Sequence, residues 1–349
     1  MPTTDTNDPP QAHRWASVSP DDQLPPVTAP SAGFIVQLFV IPALIVAIIF
    51  AIGWGIKWLA DHGADPKAYV AALKRDNDGS WQAAHDLADV LRNRRNDHFK
   101  DDPALAADLV DALRTNIDSG RVDEHAVELR IYLCNALGEF RVPGVVGILV
   151  KAAGLERDDR EANVRMAAVK ALAVYLSQVP PALRADPPEL LPAIIESSGD
   201  ERPLVRSTAA FALGAHAGPE ATRRLVAMLN DSYPDVRYNA ATMLAMQGDE
   251  RAVATLAEML DPAEMVAVMS EEQPASRDFK RQLILINALR ATKELAAKNP
   301  AADLSQLGAA VEKLRGTDSP ARIRTEANAV LIEMKHQEQG NQTWPPTPK

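Results

Sequence analysis

From Gly33 to Ile56 the chain runs through 24 positions without a charge, GFIVQLFVIPALIVAIIFAIGWGI, and Gln37 is the one strongly polar side chain among them. A membrane span needs about 20 apolar residues at roughly 1.5 Å of rise each, so the run predicts one transmembrane helix over 33–59 with some tilt. Trp54 and Trp58 stand at its C-terminal end, where amphipathic rings favour the water interface, and Lys57 is placed to extend toward headgroups. Pro42 predicts a kink. A buried core hairpin of similar composition is the alternative. A cleaved secretory signal would show a basic start and about 7 to 15 apolar residues, but the residues ahead of the run carry Arg14 against Asp5, Asp8, Asp21 and Asp22. The run is also too long and too late for one. Lys57, Lys67, Lys74 and Arg75 outnumber Arg14 across the span, which predicts an external N-terminus and a cytoplasmic C-terminal domain.

Beyond residue 78 the apolar positions fall at helical spacing, and the pattern repeats. The segment PLVRSTAAFALGAHAGPEATRRLVAMLNDSY, starting at Pro203, recurs 31 residues later as PDVRYNAATMLAMQGDERAVATLAEMLDPAE with ten identical positions. Pro203/Pro234, Val205/Val236, Arg206/Arg237, Leu213/Leu244 and Leu225/Leu256 are among them. A fixed period of roughly 20 to 50 residues marks a solenoid, whose units bury their apolar faces only by stacking. Each unit reads as a helical hairpin. Ala209/Ala210 and Ala240/Ala241 let first helices approach closely, glycines near Gly214 to Gly218 and at Gly248 end them, and second helices run from about Glu220 to Leu229 and Glu250 to Leu260. The signature of an apolar residue, an arginine and a leucine seven positions on returns at Leu129-Arg130, Val164-Arg165 and Ile323-Arg324. A degenerate copy, KRQLILINAL, carries its arginine at Arg281. SWQAAHDLADVL and PALAADLVDAL form a first hairpin. The expectation is an all-α array of about six hairpins and a capping helix over 79–337, with insertions near Ser177–Pro188 and Pro262–Ser276. A juxtamembrane linker over 60–78 carries a short helix at Pro66 to Arg75, and the proline-bearing ends, 1–32 and 338–349, read as disordered tails.

Composition agrees with stacked helices rather than sheets: aromatic residues make up 5% of the chain and alanine is abundant. A net charge of −10 argues against broad affinity for nucleic acid or anionic lipid. The single cysteine, Cys134, lies at core spacing and reads as a small buried residue.

The proline, Val-Arg pair, Ala-Ala pair and Ala-Leu-Gly stretch together resemble HEAT repeats of the alanine-rich kind called PBS-lyase HEAT-like. The likeness is strongest over 201–262, continues over 124–198, and is thinner over 78–116 and 277–336. It implies a right-handed α-solenoid. Its chemistry is open, since that family includes bilin lyases, a di-iron hydroxylase, DNA glycosylases and pure scaffolds. It also implies a structural role for Arg130, Arg165, Arg206, Arg237 and Arg324, which in such arrays join acidic residues of adjacent turns. Asp200, Asp231 and Asp235 are placed to receive them.

Catalytic patterns are missing from the sequence. A hydroxylase of this family would show repeated His-Glu dipeptides, yet none of the seven histidines precedes a glutamate and no two lie at i,i+3 or i,i+4. There is no G-x-S-x-G elbow, no GxxxxGK[ST] loop and no GxGxxG. No cofactor or metal is expected. Binding surfaces are better motivated: Glu189, Glu196, Arg223, Arg224 and Glu258 lie outside the apolar pattern of the second helices, where mixed charge suits protein partners. Met259, Met265 and Met269 form a methionine-rich stretch that is either an adaptable groove or core filler. Arg92, Arg94, Arg95 and Lys100 form a basic cluster that suits a helix C-terminus or a lipid surface. The function these features imply is a membrane-anchored, non-catalytic scaffold that gathers protein partners at the membrane. The alternative is a cofactor-handling protein resembling a bilin lyase.

Overall fold

The computed structural model describes residues 31–62, 66–73, 79–184, 187–263, 266–316 and 319–342. Among them every regular element is helical. The chain divides into two compact units, 1–63 and 64–349. Most of the N-terminal tail read as disordered, and the last seven residues, lie outside the described residues, as do Lys74, Arg75 and Met265.

The first unit contains α1 (Ala32–His62), with Pro42 inside it. Its stretch Val36–Gly55 has a mean hydropathy of 2.7 and none of it is buried. Phe39, Ile49, Phe50 and Trp54 are all exposed. A stretch of this length and composition is compatible with one membrane span, and a core helix or a signal sequence passes the same test.

The second unit opens with α2 (Pro66–Leu73), which packs on α3 (Ser80–Arg92) and α4 (Pro103–Asp118) and buries Val70 and Leu73. The short helix expected in a linker thus packs against the array, where its Val70 and Leu73 side chains join the buried core. Hairpins follow: α5 (Glu124–Leu137) with α6 (Val146–Ala153), α7 (Glu161–Gln178) with α8 (Leu190–Ser197), and α9 (Pro203–His216) with α10 (Pro219–Met228). After them come α11 (Pro234–Met246), α12 (Val253–Met259), α13 (Pro274–Lys298), α14 (Ser305–Leu314) and α15 (Ala321–Gln342). The helices α3, α5, α7, α9, α11, α13 and α15 each pack on the next, forming one layer; α4, α6, α8 and α10 do the same in a second. Short 3₁₀ turns at Pro181–Leu183 and Val266–Val268 occupy the two insertions.

Local chemistry explains the boundaries. Asp102 caps α4 by accepting from the backbone N–H groups of Ala104 at 2.9 Å and Leu105 at 3.1 Å, and Asp123 caps α5 through Ala126. Proline opens α4, α9, α10, α11 and α13, where its missing N–H costs no helical bond. The end of α9 falls at Ala217 and Gly218, both at positive φ, and not at Gly214. Gly214 serves a different purpose: a Cβ there would collide with the Met243 side chain, including its Cβ at 2.7 Å, so its small size lets α11 cross closely. The core runs continuously between the layers. Leu87, Leu113, Leu133, Leu172, Leu213 and Leu244 are completely buried, each contributing about 1.5–3 kcal/mol.

Candidate interaction surface

Two of the first-helix arginines, Arg165 and Arg206, take carboxylates from the neighbouring repeat. Arg165 on α7 grips Asp200, ahead of α9, through Nε at 2.6 Å and a second guanidinium nitrogen at 3.1 Å, while its third nitrogen reaches the Leu155 carbonyl. Arg206 on α9 repeats the geometry on Asp231, at 2.8 and 2.9 Å, and donates to the carbonyl of Asp200 at 2.8 Å. Asp200 is therefore held by its side chain from one repeat and by its backbone from the next. Arg237 on α11 donates to the Asp231 carbonyl and to Glu258 at 2.7 Å. Arg324 on α15 reaches the Ser319 carbonyl at 2.7 Å. The planar fork matches a carboxylate bidentately, and burial strengthens the pairs. Arg206 holds the Asp231 carboxyl below the usual carboxylate range. Asp200 holds the Arg165 guanidinium above its ordinary value.

Arg130 departs from this pattern. It is completely buried, and it donates to Glu161 at 3.0 Å, to the Asn116 carbonyl at 3.1 Å and to the Arg121 carbonyl. Glu161 is equally buried and also accepts from the Arg157 backbone N–H at 2.7 Å and the Arg157 guanidinium at 2.8 Å. Two arginines thus share one carboxylate. Burial lowers the Arg130 pKa. In the degenerate copy the outward reach belongs to Lys280, whose Nζ lies 3.1 Å from Asp235, whereas Arg281 pairs with Asp278 on its own helix.

Two of the five residues expected to face partners are committed inside the array. Glu258 accepts from Arg237 and, at 2.9 Å, from the Tyr238 hydroxyl, whose pKa burial pushes up. Arg224 donates to the Ser198 hydroxyl at 2.5 Å and the Ser198 carbonyl at 3.0 Å, stapling α10 to the end of α8. Both lie outside the apolar stripe, yet Glu258 turns back onto α11 of its own hairpin and Arg224 is long enough to reach the preceding one. Glu189, Glu196 and Arg223 are exposed.

The basic cluster is also partly consumed. Residues Arg94–Asp101 fold into a 3₁₀ helix rather than a free tail. Lys100 is buried beside Glu139 at 3.6 Å, and Arg92 reaches the same carboxylate at 3.1 Å. Arg141 clamps the segment through Asp97 and Asp101. Of the four residues proposed for lipid contact, Arg92, Arg94 and Arg95 are exposed, Arg92 being paired with Asp89 and Glu139, and Lys100 is buried, so a four-residue basic patch does not form. Cys134 is completely buried and burial pushes its thiol up to about 12. Met259 is buried and Met269 is exposed, so these two methionines do not share a groove wall.

Between α6 and α8 lies a groove of about 750 Å³. Its floor is apolar, made by Val150, Ala153, Pro192 and Ala193. Its walls carry both signs of charge, and the acidic residues outnumber the basic ones. Among the described residues, no group of three or more His, Cys, Asp or Glu is placed to hold a metal ion.

A family model described as HEAT repeats matches residues 187–269, from just before α8 through α12. With the two helical layers, this supports a HEAT-repeat protein. No curated protein matches the chain. Among solved structures, an engineered protein is 20% identical over 78% of this chain and 99% of its own, with a TM-score of 0.39. A second engineered protein is 18% identical over 78% and 98%, with a TM-score of 0.33. Human deoxyhypusine hydroxylase in complex with glycerol is 22% identical over 78% and 96%, with a TM-score of 0.30. Likenesses at such scores carry no argument about what this chain does.

Proposed function

We propose that this chain is a membrane-anchored HEAT-repeat scaffold, in which α1 spans a bilayer and the hairpins α3/α4 to α13/α14, capped by α15, form a right-handed solenoid that gathers proteins at the cytoplasmic face without catalysis of its own. One observation carries it: a 20-residue apolar stretch, Val36–Gly55, stands exposed in a chain whose other helices bury a continuous core. Leaving that much apolar surface in water is unfavourable at about 25 cal/mol per Å², and a bilayer removes the cost. The inward commitment of Arg165, Arg206 and Arg237 supports a stiff support rather than a row of anion ligands. Extraction of native membranes at alkaline pH, followed by crosslinking and mass spectrometry of the pellet, tests the proposal. The chain should remain with the membrane and crosslink to defined proteins. Release into the alkaline supernatant, or a monomer with no crosslinked neighbour, refutes it.

The bilin-lyase-like alternative gains no support from the groove. Tetrapyrroles of that class carry propionate carboxylates, and the acidic walls between α6 and α8 would repel them.

A further inference from the structure

The walls of the α6/α8 groove are not neutral once their internal pairs are counted. Arg157 is spent on Glu161, Arg165 on Asp200, and Arg202 on Asp159 at 3.5 Å. Asp158 is held by Arg160. Four exposed carboxylates then remain, Glu156, Glu189, Glu196 and Glu201, and among the described residues none has an ion-pair partner. They stand around the apolar floor of Val150, Ala153, Pro192 and Ala193. On α8, Glu189, Pro192, Ala193 and Glu196 recur at helical spacing, so one face of that helix presents charge, two apolar contacts and charge again. No helix of the array covers that face, since α8 packs on α6, α7, α9 and α10 through its other sides.

We infer that this groove docks a basic amphipathic segment of a partner protein, with apolar side chains on the Val150–Ala193 floor and lysines or arginines against the four glutamates. The inference rests on the scaffold reading and names the chemistry of its partner. Four like charges in one groove repel each other, and a cationic segment relieves that repulsion while its apolar face covers the floor. A neutral or acidic segment gains the floor alone. A groove of this volume accommodates a few side chains, which is the scale of helix-in-groove recognition by i, i+3, i+4 anchors.

The test uses the full chain in detergent and a fluorescent helical peptide with leucine on one face and lysine on the other, beside a twin carrying glutamate in place of lysine. The lysine peptide is expected to bind saturably and to weaken as salt rises; the glutamate twin is expected not to bind. The double variant Glu189→Lys with Glu196→Lys should bind about tenfold more weakly. A control reversal of two exposed carboxylates on other helices, Glu294→Lys with Glu312→Lys, should leave affinity within about twofold. Equal binding of both peptides, or equal loss in both double variants, overturns the inference, the second result showing mere attraction to an acidic chain. Photo-crosslinking in native membranes from position 193 in the groove and from position 208 on α9 separates this failure from that of the scaffold. Crosslinks from 208 with none from 193 leave the scaffold standing and refute the groove; none from either refutes both.

Discussion

Replacing Glu161 by alanine should destabilise the array more than any other single loss of a carboxylate. The Glu161 side chain has no exposed surface and accepts from Arg130 at 3.0 Å, from the Arg157 guanidinium at 2.8 Å and from the Arg157 backbone N–H at 2.7 Å. Its removal leaves Arg130, also without exposed surface, holding only backbone carbonyls of Asn116 and Arg121. Breaking a buried pair from one side costs about 3–5 kcal/mol, because the surviving charge stays desolvated. Glu161→Gln keeps the acceptor and loses the charge, and should cost about 1.5–3 kcal/mol, the range of a hydrogen bond to a charged group. The contrast is Asp118→Ala, which breaks the Lys151–Asp118 pair at 2.7 Å; both side chains there are about half exposed and screened by water, and the effect should be small beside that of Glu161→Ala. Because repeat arrays unfold in parts, hydrogen exchange is the better assay, read as lost protection of α5 and α7 amides with α11 and α13 unchanged. The double variant Arg130→Met with Glu161→Leu should recover much of the loss, since the uncompensated charge goes with its partner. Equal exchange in Glu161→Ala and Asp118→Ala, or a double variant as damaged as the single one, refutes the reasoning.

Acid should weaken the ladder in a defined window. The Asp231 carboxyl is held low by Arg206, so its contribution is complete above an unfolded-state value of about 3.9 and is lost as pH falls below that through the lowered native value; Arg206→Leu should flatten this part of a stability-against-pH curve. Cys134, buried with its thiol pushed up to about 12, should resist maleimide at neutral pH in the folded chain and label fully in denaturant; labelling at the rate of a free thiol would place it at the surface. Gly138→Ala should cost about 1–3 kcal/mol, because its Cβ would lie 2.7 Å from the Ala171 backbone, where nothing rotates away. Gly147→Ala on α6 meets nothing within 4 Å and should be neutral or stabilising by up to about 1 kcal/mol, both glycine variants being read by thermal melting.

The 31-residue recurrence made Arg206 and Arg237 equivalent before any coordinates, and Asp231 sits one turn ahead of the second copy, so the bidentate Arg206–Asp231 bond was legible as a periodic feature. Its neighbours were less legible because the acceptor moves when the connection changes length. Ahead of α7 the carboxylate is Glu161, at the start of the helix itself; past α11 it is Glu258, carried on the second helix. A lysine fills the place on α13. Helix-face arithmetic sorted residues by direction and missed reach: Glu258 and Arg224 sit off the apolar stripe, but Glu258 extends to the first helix of its own hairpin and Arg224 to the end of the previous one. Lys100 was harder still, since its carboxylate partner Glu139 lies 39 positions on and meets it only after Arg94–Asp101 coils into a 3₁₀ turn. The same distinction governs the groove. Glu189 and Glu196 were visible as exposed charges on one helix, but Glu156 joins them only because α6 and α8 stack, and Glu201 through the turn that follows α8. A charge that is free in sequence becomes available for a partner only after the fold has taken its share, and between α6 and α8 that share is three arginines, each already paired with a carboxylate, and none of these four glutamates.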